Sequence, residues 1–172
     1  MEILERLVMV LVPMLLSLTV HEYAHARSAF ALGDDTASRM GRMTLNPVAH
    51  IDIFGTIILP LISVLSASSF FFGWAKPVPV NPTQFTHKVS MKRGMLLTSA
   101  AGPLSNLAFA LVLAILFKVL TVAVVVNFPF WATFPGAGVL EVPAVYKLVG
   151  TTFLINVVLA IFNMIPVPPL DG

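Results

Sequence analysis

The sequence predicts an all-α membrane protein with three core transmembrane helices, a re-entrant apolar segment and a small β-hairpin-like element. Three observations predict it. Of 172 residues, 58% are hydrophobic and 10% charged, where a soluble domain carries about a quarter charged residues. The apolar residues gather in stretches near the roughly 20 residues that a helix needs to cross a bilayer, and short polar links separate them. One link carries alternating prolines, which exclude helix and favour extended chain. The links leave no room for a separate soluble domain, so residues 1–172 read as a single integral membrane domain.

The first span runs from about Leu7 to Leu32. LVMVLVPMLLSLTV continues into HEYAHARSAFALG, Pro13 is expected to kink it, and Gly33 with Asp34 and Asp35 ends it in solvent. No small-residue cleavage signature follows, so it reads as a retained helix and not as a removed signal peptide. TASRMGRMTLNPVAHID is polar enough to leave the hydrocarbon, and MTL followed by Asn46 and Pro47 predicts a short strand and turn. Phe54–Phe72 is apolar but interrupted by Pro60 and by serines from Ser63 to Ser69. By length it fits a full span or a re-entrant hairpin. GWAKPVPVNPTQF is expected to form an extended, edge-like strand beside Met43–Leu45. A third apolar stretch covers about Gly94 to Val126, where Gly102, Ser105 and Ala108 permit close helix packing. The last span, about Ala144 to Ile165, follows a link from Pro129 to Pro143 and ends in NMIPVPPLDG, whose prolines break the helix before Asp171.

The formal charge is +2, and the basic residues sit mainly in Arg27–Arg42 and Lys76–Arg93. They read as membrane-flanking charges. A nucleic-acid surface needs more Lys and Arg on one face, so nucleic acid is excluded as a partner and the lipid bilayer is the expected environment. Cysteine is absent, which rules out disulfides, thiolate metal sites and a thiol nucleophile. Any metal must be held by His and carboxylates.

HEYAH, His21 to His25, is an HExxH pattern. On a helix the two histidines share a face, so both imidazoles can reach one ion while Glu22 stands beside them. Zinc lowers the pKa of a coordinated water to about 7 and polarises a carbonyl, and Glu22 is placed to take the proton. The bland reading is a hydrogen-bonded polar cluster between helices. Three ionisable side chains inside one apolar helix are costly in a membrane and argue for a site.

Catalytic zinc takes three protein ligands and keeps one position open. His50, His87, Asp34, Asp35, Asp52, Glu141 and Asp171 are the remaining candidates. Asp34 and Asp35 read as solvent caps of the first helix, and the others lie in polar links. Asp171 differs because a rigid Pro-rich turn can hold its carboxylate inward at low conformational cost.

Taken together, HEYAH, AGPLSN at Ala101–Asn106 and NMIPVPPLDG at Asn163–Gly172 resemble the site-2 protease family of intramembrane zinc metalloproteases, in particular its compact microbial branch. GRMTLNPVAHIDIFGT and FGWAKPVPVNP extend the resemblance over nearly the whole chain. It implies one Zn2+ ion held by His21, His25 and Asp171, Glu22 as general base, and Asn163 as a donor that stabilises the tetrahedral intermediate. An amide suits that role, and it equally suits capping or bonding between helices. Asn106 reads as a brace between core helices. The substrate implied is a transmembrane protein or peptide, cleaved in or near its membrane segment. In the family the LDG motif commonly runs on into a second Gly and another helix. The resemblance therefore implies a protease domain truncated at Gly172, or one lacking only peripheral packing beyond it.

A shared ion also constrains topology. His25 lies near the C-terminal end of its span and Asp171 follows the C-terminal end of its own, so the two spans should run in the same direction. A full crossing at Phe54–Phe72 breaks that parity, whereas a re-entrant return keeps it and puts both basic segments on one side. The positive-inside tendency makes that side cytoplasmic in a cell membrane, with the active site open toward the cytosol. Paired strands near Met43 and Val80 would receive an unwound substrate by strand addition.

The rival reading is a non-hydrolytic metal transporter or scaffold that retains the ligands. A transporter distributes polar groups along a path, whereas these converge beside a base.

Overall fold

The computed structural model of the chain describes residues 3–66, 73–86, 89–127, 144–165 and Asp171. The Pro-rich run before Asp171, the whole Pro129–Pro143 link with Glu141, His87 and the later part of the serine-rich stretch lie outside the described residues. The described elements are helical throughout. Three are long and apolar enough to cross a membrane by length and composition: α1 (Ile3–Ala31), α4 (Met91–Asn127), over Met91–Val122, and α5 (Ala144–Asn163). Helix α4 packs against both α1 and α5, which also meet each other.

Their outward faces carry large apolar side chains such as Leu104, Leu111, Val112, Ile115, Leu154 and Ile161, all exposed in the isolated chain. Such faces suit lipid. The inner faces differ. A small apolar cluster of Met14, Leu18 and Ala75, with Leu11, Ile155 and Leu159 packed on it, sits beside a buried polar group that includes Ser17, His21, Glu22, His25, Thr98, Asn106, Thr152 and Asn156. With lipid outside, polar side chains are retained only where other helices satisfy them.

Helix α1 ends as its sequence predicts, although Asp34 takes a different role. Gly33 adopts φ 109°, its N–H bonds the Phe30 carbonyl and the Asp34 N–H reaches back to Ala29, the glycine-terminated helix end that only a residue without Cβ forms cheaply. Asp34 is fully buried and is not the solvent cap expected from its position. Its carboxylate accepts from the Thr36 N–H and hydroxyl and, through Oδ2, from the Asn81 N–H at 2.6 Å.

Between α1 and α4 lie α2 (Thr36–Arg39), a 3-10 turn (Pro47–His50), a π-helical turn (Ile53–Ile58) continuous with α3 (Leu59–Leu65), and a second 3-10 turn (Pro82–Gln84). The Asp52 carboxylate caps the π-helical turn, accepting from the Phe54 and Gly55 N–H groups. The 6 and 7 residues of the π-helical turn and α3 rise about 20 Å, short of the ~30 Å hydrocarbon core. The chain returns to its starting point, for the Trp74 N–H bonds the Gly55 carbonyl and the Thr56 hydroxyl donates to the Trp74 carbonyl. A Cβ on Gly55 would lie 2.5 Å from the Trp74 ring, so glycine there permits the crossing.

The expected β-hairpin-like element is not formed. Neither Met43–Leu45 nor the extended stretch from Trp74 to Asn81 is a strand, and the described residues contain none. The prolines explain it: Pro77 and Pro79 have no N–H, which removes donors that a ladder needs. Three of the remaining donors go elsewhere, Lys76 N–H to the His50 carbonyl, Val78 N–H to Glu22 and Asn81 N–H to Asp34. The two stretches meet through a side chain, with Arg42 Nη2 donating to the Lys76 carbonyl at 2.6 Å.

Candidate metal centre

Helix α1 places His21 and His25 one turn apart, their rings edge to face with centroids 4.6 Å apart. Both are buried, while Asp171 is partly exposed. His21 Nε2 lies 2.9 Å and His25 Nε2 3.1 Å from Asp171 Oδ2, and the two Nε2 atoms are 3.0 Å apart. Among the described residues these three form the group of side chains that could hold a metal ion.

The outer nitrogens show what the inner ones can do. His25 Nδ1 is 2.7 Å from the Thr98 carbonyl, which can only accept, so Nδ1 carries a proton. His21 Nδ1 is 2.5 Å from Asn106 Oδ1, another acceptor. With a proton on each Nδ1, a neutral imidazole directs its Nε2 lone pair inward. Two lone pairs and a carboxylate oxygen then face one another near 3 Å, a donor set that suits a metal ion. Tetrahedral ligands at about 2.0–2.1 Å from zinc stand ~3.3 Å from each other, so the residues fit the ion within a few tenths of an ångström. A proton on an imidazole Nε2 can occupy the same place: burial raises the pKa of Asp171, but hydrogen bonds from His21 and His25 so protonated, and their charge, outweigh it and hold the carboxyl below the usual carboxylate range.

Helix α4 closes the inner side. A Cβ on Gly102 would strike His25 Nε2 and stand 2.6 Å from His21 Cε1, so α4 passes against the imidazoles at a residue with no side chain. Glu22 is buried, and its Oε2 accepts the Val78 N–H at 2.8 Å. The stretch from Trp74 to Asn81 is therefore tied by a backbone donor to the helix that bears the two histidines.

The histidines and Asp171 expected from sequence are thus together, with Glu22 on the same helix. Asn163, the last residue of α5, donates from Nδ2 to the Leu159 carbonyl one turn back at 3.0 Å. His50 is buried, is not a member of this group, and bonds the Thr44 carbonyl through Nε2. Sequence reasoning missed Thr98, Ser17, Asn156 and the Val78 N–H; Asn106 does brace core helices, through its bonds to the Ser17 carbonyl and Asn156, and its contact with His21 Nδ1 is the part the sequence did not show. A signal existed for Asn156, a polar residue inside the apolar run FLINVVLAIF.

Comparison with known proteins points the same way as this geometry. YwhC of Bacillus subtilis (strain 168), named as a candidate zinc metalloprotease, is 40% identical over 161 residues, covering 94% of this chain and 64% of YwhC. Two proteins called Rip2, also named as candidate zinc metalloproteases, match as well: that of Mycolicibacterium smegmatis at 29% identity over 96% of this chain and 54% of its own length, and that of Mycobacterium tuberculosis at 27% over the same shares. The chain thus spans roughly half to two thirds of the length of these relatives. No solved structure matches it. The sequence model of peptidase family M50 matches residues 9–172, a range that contains His21, Glu22, His25 and Asp171, and the chain belongs to that family, the site-2 proteases.

Proposed function

We propose that this protein is an intramembrane zinc metalloprotease that hydrolyses peptide bonds in or near the transmembrane segments of membrane-protein substrates, within one domain over residues 1–172. The observation that carries the proposal is the meeting of His21 Nε2, His25 Nε2 and Asp171 Oδ2 within about 3 Å, beside Glu22 on the helix that bears two of them. His21, His25 and Asp171 would hold one Zn2+. When bound, zinc supplies Lewis acidity and an activated water.

The protein's own groups do the rest. Glu22 is the general base: the Val78 N–H fixes Oε2, which leaves Oε1 to take a proton and later deliver it to the leaving amine. Asn163 serves as the oxyanion donor. Its amide has two N–H bonds, of which the Leu159 carbonyl occupies one and the other remains to meet developing charge. The helices bury His21, Glu22 and His25 away from bulk water, where such interactions are stronger.

For orientation, Arg42 bonded to the Lys76 carbonyl brings the two basic segments to one place, and the positive-inside tendency favours the cytoplasmic side of the cell membrane for it. The site then opens toward the cytosol.

The deciding experiment is Glu22→Gln in purified protein. Expected is loss of cleavage of a transmembrane test substrate by several orders of magnitude, with zinc content near one ion per chain. Undiminished cleavage would overturn the mechanism, and a wild-type protein that purifies without metal and takes none up would overturn the site.

A further inference from the structure

Three buried polar side chains behind the metal site form a chain of hydrogen bonds with one consistent direction. Asn156 Nδ2 donates to the Thr152 carbonyl and to Ser17 Oγ, both at 2.8 Å. The carbonyl can only accept, so the amide cannot turn round, and Asn156 Oδ1 must face the other way. There it accepts from Asn106 Nδ2 at 2.7 Å. Asn106 Nδ2 also donates to the Ser17 carbonyl at 3.2 Å, a second acceptor-only partner. Both hydrogens of the Asn106 amide are thereby assigned, and Asn106 Oδ1 is left pointing at His21 Nδ1. Asn106, Asn156 and Ser17 are all fully buried, so water does not compete for these bonds.

We propose that Asn156, whose polar bonds all go to groups other than the imidazoles, is a positioning residue that sets the tautomer of His21 through Asn106 and thereby sets metal affinity. A histidine ligand needs its proton on the nitrogen facing away from the metal, and the partner of that nitrogen decides the tautomer. Without Asn156 the Asn106 amide loses the nearer of the two acceptors that order it and keeps only the longer bond to the Ser17 carbonyl. It can then present Nδ2 to His21, which moves the imidazole proton to Nε2 and blocks the lone pair that a metal would use. Helix α5 in this way contributes to the chemistry of α1 across α4. The inference rests on His21 being a metal ligand, as in the function proposed above.

The test measures zinc affinity of detergent-purified protein by competition with a chelating dye, for wild type, Asn106→Leu, Asn156→Leu and the double variant, with His21→Ala as the reference for a lost ligand. Removing an outer partner of a ligand histidine costs about 10–100-fold in affinity, and that loss is expected for each single variant. Because Asn156 acts through Asn106, the double variant should bind no more weakly than Asn106→Leu. An Asn156→Leu protein of wild-type affinity, or losses that multiply in the double variant, would overturn the proposal. A wild-type protein that binds no zinc would instead overturn the ligand assignment beneath it. Nitrogen NMR of metal-free, histidine-labelled wild type gives a reading that does not depend on any variant folding. His21 should carry a proton on Nδ1, and a bare Nδ1 would overturn the proposal.

Discussion

Gly102 lies so close to His25 that the smallest side chain placed there would collide with the Nε2 atom facing Asp171. The consequence separates helix stability from site integrity. Alanine is better than glycine inside a helix by about 1 kcal/mol, so Gly102→Ala should leave α4 intact or firmer while pushing the imidazoles apart. The expected outcome is a helical protein, by circular dichroism, that retains less than a tenth of the wild-type zinc and shows no proteolysis. Normal metal content would mean that the ring positions are not set by this contact.

The bond from the Val78 N–H to Glu22 is also open to a single substitution. Proline at Val78 removes the donor, and the flanking Pro77 and Pro79 show that the stretch already tolerates proline's backbone. Val78→Pro is expected to lower kcat about 10-fold, the scale of a base that is present but poorly held, with zinc content unchanged. Single-turnover cleavage kinetics alongside metal analysis would check it, and an unchanged kcat would show that Glu22 is oriented by other groups.

What the sequence disclosed and what it withheld follow from distance along the chain. His21 and His25 were legible because helical spacing alone makes them neighbours, and because ionisable groups are costly in an apolar run. Asp171 was legible because a run of prolines can aim a carboxylate and few carboxylates compete with it. Helix spans and the glycine end of α1 are local events and were read correctly. The lack of helix over Trp74–Asn81 was also local, but the strand expected there did not form and its partners were not legible. Which acceptors take the Val78 and Asn81 N–H groups depends on Glu22 and Asp34, 56 and 47 residues away, and alternation of prolines carries no information about them. The orientation of Asn106 was hidden for the same reason, since Ser17 and Asn156 stand 89 and 50 residues from it.

Asp34 gives a prediction on stability. Its buried carboxylate accepts from three donors, one of which anchors the extended stretch at Asn81. Asp34→Asn keeps the shape but turns one acceptor into an amino group facing a donor. An unmet buried group bonded to charge costs about 1.5–3 kcal/mol, so the melting temperature in detergent should fall by several degrees. The stretch around Asn81 should also be cut sooner by added protease. Zinc content should stay near wild type, because Asp34 is not among the converging ligands. A variant as stable and as protease-resistant as wild type would show that the Asn81 anchor carries little of the load.

Asn163 supplies the sharpest separation between a chemical and a structural role. As found, its amide bonds back to the Leu159 carbonyl at the end of α5, which a helix-terminating side chain with no catalytic duty would also do. The two roles differ in what their loss changes. Removing one oxyanion donor typically costs about 10²–10³ in kcat with little effect on substrate binding. Removing a terminal side-chain bond costs about 1 kcal/mol of stability and leaves the rate of the folded enzyme alone. Asn163→Ala is expected to show the first pattern: kcat down by at least about 10², KM within a few-fold, zinc bound, and only a small change in melting temperature. A variant that melts earlier but cleaves at the wild-type rate below its transition would assign Asn163 to the helix end and require the oxyanion donor to come from elsewhere in the site.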